Sequence, residues 1–314
     1  MVPAGEWFVR FLTSVPDLHS YEFVVKNLAF IAVLLLSGLP LYADFQDGLA
    51  AYNSGDYSTA AQEWQPIAER GDANAEYNMG LLYSSGQGVP RDYQMAAEWY
   101  EKAAEQGVAA AQYNLAVMYA NGDGVPKSNR DAALWFEKAA DNGIVAAAAH
   151  LGDIYYDGVD GVPDYAQAEK WYREAAEKGV PNAEFGLGLM YDLGKGFAQD
   201  FQQAIAWYTK AAEISYAPAM TNLGILYYNA QGEKRDLVQA YAWLGRAWKA
   251  GDPRALELLQ TTGERMAPKD LRRAQSLMNE WQPASKPAPE VPSSDGLFKQ
   301  PQVTPAGPST GSTL

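Results

Sequence analysis

The same residue types return every 36 positions, and that recurrence limits the chain to an array of one small unit. Alanine stands at Ala75, Ala111, Ala147, Ala183, Ala219 and Ala255, tyrosine at Tyr83, Tyr119, Tyr155, Tyr191 and Tyr227, and tryptophan at Trp99, Trp135, Trp171, Trp207 and Trp243. Ala96, Ala132, Ala168, Ala204 and Ala240 keep the register, as do Ala103, Ala139, Ala175, Ala211 and Ala247. A period of this length belongs to supersecondary units that hide their apolar faces only against their neighbours.

Each unit reads as two helices. In the first, Ala75, Met79, Leu82 and Tyr83 fall at i, i+4, i+7 and i+8, one helical face. Gly80, Ala116, Gly152, Gly188 and Gly224 form a column of tiny residues that lets a neighbour come close. Gly86, Gly88 and Pro90 break the helix, and Gly122, Gly124 and Pro126 repeat the break. The second helix opens at Asp92, Ser128, Asp164, Asp200 and Asp236, residue types whose oxygens satisfy free N–H groups. Gln167, Gln203 and Gln239 stand three residues on, as in a capping box. Gly107, Gly143, Gly179 and Gly251 end it, with Ser215 breaking the column. The indoles are expected in the core. Each contributes on the order of 4–6 kcal/mol of gross transfer free energy, which a lone hairpin cannot realise. The expected fold is therefore all-α, a right-handed solenoid of stacked helical hairpins.

The pattern A-x-x-x-L-G-x-x-Y, a G-x-G-V-P loop and A-x-x-W-x-x-K-A-A resembles the Sel-one-like repeat family, within the tetratricopeptide superfamily. The resemblance runs from Asp44 to Trp281. It departs in the third unit, "DGVDGVPD" at Asp157–Asp164, and in the fifth, "NAQGEKRD" at Asn229–Asp236, which lacks the first Gly and the Pro. It implies a protein-binding scaffold, since similar proteins serve in envelope assembly, signalling control and host interaction.

The expected organisation is a signal segment with an upstream extension at 1–43, a degenerate first repeat at 44–74 and five repeats at 75–254. A capping helix pair at 255–282 and a disordered tail rich in Pro, Ser, Thr and Gly at 283–314 complete it. Lys26, the apolar run Leu28–Leu36, the break at Ser37–Pro40 and Leu41-Tyr42-Ala43 have the three parts of a secretory signal, cleaved after Ala43. The run is too short to span a bilayer, so the mature chain is expected without an integral span. Glu6, Asp17 and Glu22 do not suit a signal, which points to a translation start at Val24 or Val25. The expected location is periplasmic or secreted.

A net charge of −14 and the lack of any basic run argue against nucleic acid. The chain has no cysteine, which excludes disulfides, thiolate metal sites, a cysteine nucleophile and a lipidated anchor. His150 occupies the column of Asn78, Asn114 and Asn222 and is expected to share their polar packing role. There is no Walker loop, H-E-x-x-H or S-x-x-K. No enzymatic activity, cofactor or metal is expected.

Binding is expected along first-helix positions that vary between units. These are Tyr77, Leu81 and Ser84, then Tyr113, Val117 and Ala120, then Ala149, Asp153 and Tyr156. Phe185, Leu189 and Asp192, and finally Thr221, Ile225 and Tyr228, extend the row. By analogy with related solenoids it would floor a concave groove for a peptide or partner helix. On this reading Tyr77→Glu with Leu81→Glu abolishes binding and spares the fold. The leading expectation is a non-enzymatic adaptor of the bacterial envelope. The alternatives are an envelope hydrolase or β-lactam-binding enzyme, and a purely structural spacer.

Overall fold

The computed structural model describes residues 45–284; the signal segment and nearly all of the tail expected above lie outside them. Among the described residues there are fourteen helices and no strand. A shortened pair, α1 (Phe45–Asn53) and α2 (Tyr57–Ala68), precedes five hairpins. These are α3 (Ala73–Ser85) with α4 (Tyr93–Glu105), α5 (Ala109–Asn121) with α6 (Asn129–Asp141), and α7 (Val145–Asp157) with α8 (Tyr165–Glu177). Helices α9 (Pro181–Leu193) with α10 (Phe201–Glu213), and α11 (Ala217–Asn229) with α12 (Leu237–Lys249), complete the five. The chain then forms α13 (Ala255–Glu264) and α14 (Pro268–Glu280). Each helix from α1 to α12 packs on the next in sequence, α14 packs back on α12, and first helices of adjoining hairpins also touch, α7 with α9 and α11 with α13. That is the packing of a solenoid.

The second helices start as their sequence dictates. Asp92, Ser128, Asp164, Asp200 and Asp236 each accept a hydrogen bond from a backbone N–H two or three residues on. The first helices α5, α7, α9 and α11 start instead on Val108, Ile144, Val180 and Tyr216, without a side-chain cap.

Aromatic side chains lock hairpin to hairpin. Trp99, Trp135 and Trp171 are buried, and Trp207 and Trp243 are half-buried. A cation covers each indole: Lys102 at 3.9 Å from the ring centre, Lys138 at 3.8 Å, Lys170 at 4.2 Å, Lys210 at 3.7 Å and Arg246 at 4.4 Å. The small-residue column faces a second set of rings. A methyl group on Gly80 would stand 2.5 Å from the Tyr100 ring, and one on Gly188 the same distance from Tyr208. Tyr172 is held from both sides. Gly152 of its own hairpin abuts one part of the ring, and a methyl on Gly186 of the next would fall 2.6 Å from Cζ.

Two turns use residues other than glycine in the left-handed region. Ser215, before α11, has φ 68°, and Ala230, after it, has φ 61°, where other hairpins carry glycine.

Both ends are closed by indoles. Trp64 is fully buried, its Nε1 donating to the Phe45 carbonyl at 3.1 Å, with its ring against Gly48. At the other end Trp281 meets Trp243 edge-on at 6.4 Å, and Arg246 donates to the Leu277 carbonyl at 2.6 Å.

Candidate binding face of the first helices

The variable row divides into three columns, one buried and two half-exposed. Tyr77, Tyr113, Ala149 and Thr221 are buried, so the first column is not an open floor as expected, and Phe185 alone in it is half-exposed. The cause is helical rotation: this position turns toward the second helix of its own hairpin. Tyr77 packs against Tyr100 at 5.8 Å and Tyr113 against Phe136 at 5.5 Å, while the Thr221 hydroxyl donates to Asp252 at 2.7 Å. Tyr77→Glu would place a carboxylate in the core, so the double substitution expected to spare the fold would damage it.

The other two columns are half-exposed in every hairpin. One runs Leu81, Val117, Asp153, Leu189 and Ile225; the other runs Ser84, Ala120, Tyr156, Asp192 and Tyr228. Between successive first helices they line shallow recesses. One of about 290 Å³ lies between Leu81, Ser84, Tyr100, Asn114 and Val117. Another of about 190 Å³ lies between Val117, Ala120, Phe136, His150 and Asp153.

Asn114 and His150 therefore join the face, although the sequence pattern suggested packing alone. The His150 ring stacks on Phe136 at 4.9 Å and pairs through Nε2 with the Tyr113 hydroxyl at 3.0 Å. Its Nδ1 lies 3.8 Å from Asp153. Burial lowers the His150 pKa and raises that of Tyr113. A neutral imidazole beside a buried phenol does not make a nucleophile. Among the described residues no group of three or more His, Asp or Glu side chains is placed to hold a metal.

The two carboxylates of the face are oriented by tyrosines from the second helices. Tyr172 donates to Asp153 at 2.7 Å and Tyr208 to Asp192 at 3.1 Å, while Asn222 of the next hairpin donates to the Tyr208 oxygen at 2.9 Å. Asp153 keeps 48% of its side-chain surface, yet the helices on either side crowd it. That crowding is the main reason its pKa is pushed up to about 6, against the opposing hydrogen bond from Tyr172. Burial likewise raises the Asp192 pKa.

One legible signal points to this face. The first helices α3, α5, α7, α9 and α11 contain neither Lys nor Arg, while carrying Glu76, Asp153, Asp157, Glu184 and Asp192. Every cation of the five hairpins sits on second helices or connections.

The model of the Sel1 repeat matches five consecutive segments, residues 73–108, 109–144, 145–180, 181–216 and 217–252, more than half of the chain. Its frame starts two residues before the one set by the alanine column. A protective antigen of uropathogenic Escherichia coli displaying an SLR fold is 35% identical, with a TM-score of 0.64 over 71% of this chain. The match spans about half of that antigen, 48%. A Sel1 repeat protein from Oxalobacter formigenes is 30% identical, with a TM-score of 0.61 over 75% of this chain and 99% of its own. No curated protein matches.

Proposed function

We propose that this chain, which belongs to the Sel1 repeat family, is an exported, non-enzymatic adaptor that holds a peptide or protein partner along its first helices. Sel1 repeat proteins act in general as protein-interaction scaffolds. The observation that carries the reading is the pair of half-exposed columns, Leu81 to Ile225 and Ser84 to Tyr228, continuous across five hairpins and free of cations. Mixed apolar and polar surface of that kind, rimmed by fixed helices, suits an extended chain or one face of a partner helix. Export through the segment Val24–Phe45 is part of the proposal; no helix of the described residues is long and apolar enough to cross a membrane.

Photocrosslinking tests it. A benzophenone side chain at Leu81 or Leu189 should give a discrete, saturable adduct in the native cell envelope. The same group at Glu98 or Glu101, on the outer surface of α4, should not. Equal labelling from both surfaces, or none from either, would remove the basis for a first-helix binding face.

A further inference from the structure

We infer that the occupant of this face is a basic, extended segment of a partner protein, its Lys or Arg side chains seated on Asp153 and Asp192. The inference rests on the first-helix binding face proposed above and adds the chemistry of what it binds.

Charge distribution carries it. Five successive first helices offer no Lys or Arg. The ion pairs Arg130–Asp160, Arg173–Glu169, Lys178–Glu174 and Arg254–Asp252 all lie away from Asp153 and Asp192. Asp153 has the imidazole of His150 at 3.8 Å and the Tyr172 hydroxyl; Asp192 has the Tyr208 hydroxyl. Each carboxylate is thus oriented by a phenol and lacks a permanent cation. Burial disfavours the charge of both, so an arriving ammonium or guanidinium group meets a field that the fold itself leaves uncompensated.

Aromatic rings frame the same stretch. Tyr156 is half-buried and meets Tyr165 edge-on at 5.6 Å; Phe185 meets Tyr216 at 5.5 Å and Tyr208 at 5.5 Å. Arginine stacked on such rings while paired with a carboxylate uses both of its recognition modes. The protein already uses the first on its outer side, where Lys102, Lys138 and Lys210 lie over indoles. Asp153 and Asp192 belong to α7 and α9, which touch. Neighbouring helices stand about 8–10 Å apart, a distance that about three residues of extended chain cover. Basic residues about three positions apart would therefore reach both.

The test is a random dodecapeptide phage library panned against the full chain, followed by binding of the selected pool to variants. Lys and Arg should be enriched several-fold over the input. Asp153→Asn with Asp192→Asn keeps an acceptor for each tyrosine and should weaken the pool about tenfold, the scale of two charge-assisted contacts. Glu98→Gln with Glu101→Gln makes the same change in net charge on the outer surface and should leave binding within about twofold. A pool without basic enrichment overturns the inference, as does equal loss from both variants or no loss from the first. A benzophenone at Leu189 separates the two levels. Neutral peptides crosslinking there would sink the charge inference and keep the binding face, whereas no crosslink from any pool removes both.

Discussion

Gly186→Ala should destabilise the protein, opposite to the usual effect of this exchange inside a helix. Helix propensity alone favours alanine over glycine by about 1 kcal/mol. At Gly186 the added methyl would fall 2.6 Å from Cζ of Tyr172, 2.7 Å from Cε1 and 2.9 Å from Cε2. The ring cannot retreat, because Gly152 backs it on the other side and its hydroxyl is tied to Asp153 at 2.7 Å. Overpacking a filled site costs roughly 1–3 kcal/mol, and a ring blocked in both directions belongs in the upper half of that range. The net loss should be about 1–2 kcal/mol, read as a lower midpoint in urea denaturation of the full chain followed by circular dichroism. With Tyr172→Leu, the residue type of the equivalent Leu244, the flat ring is gone and the penalty should shrink by about 1 kcal/mol in a double-mutant cycle. A Gly186→Ala protein as stable as its parent or more so would refute the wedge.

The left-handed turns should respond the other way: Ser215→Gly and Ala230→Gly, at φ 68° and 61°, should each raise stability by up to about 1 kcal/mol in the same denaturation. Two carboxylates should pull the acid response in opposite directions. Hydrogen bonds from Arg254, aided by Thr221, hold the Asp252 pKa down to about 2, so its stabilisation is complete above the usual aspartate value and is lost as pH falls toward 2. The Asp153 pKa of about 6 is raised chiefly by burial, against the Tyr172 hydrogen bond and with Asp157 adding to the rise. His150 and Tyr216 also face it. The native state then holds its proton more tightly than the unfolded chain, and stability rises as pH falls from 6 toward 4. Thermal melts of Asp153→Asn should lack that rise, while Thr221→Val, which removes one of the bonds that lower the Asp252 pKa, should make the loss below pH 4 shallower.

Much of this architecture is readable from single columns. The aspartates at 92, 164, 200 and 236 and the serine at 128 start second helices because each side chain can reach an unsatisfied N–H, a purely local property. The tiny residues at 80, 152 and 188 announced a close approach, and the approaching groups are tyrosine rings twenty residues on. What variation alone could not give was the rotation of the first helix. Tyr77, Tyr113 and Thr221 differ from one another because each meets a different partner on or just after the second helix of its own hairpin, not because each is open to a ligand. Asn114 and His150 were hidden for the converse reason: a polar column reads the same whether it satisfies a tyrosine hydroxyl or faces a recess. His150 does both. Gly186 departs from that column because the Tyr172 ring already fills the space.

A stack of like units has no inherent length, since every added unit offers the next the same surface to build on. Here the count is set by two indoles: Trp64 folded onto Phe45 and Gly48 at the start, and Trp281 crossed with Trp243 at the finish. Between these stoppers the receiving surface has five rows, about 30–40 Å at ordinary helix spacing. Its reach can grow only by intercalating a hairpin, never by appending one. The two stoppers thus work as a ruler, limiting a bound strand to roughly a dozen residues in contact at one time.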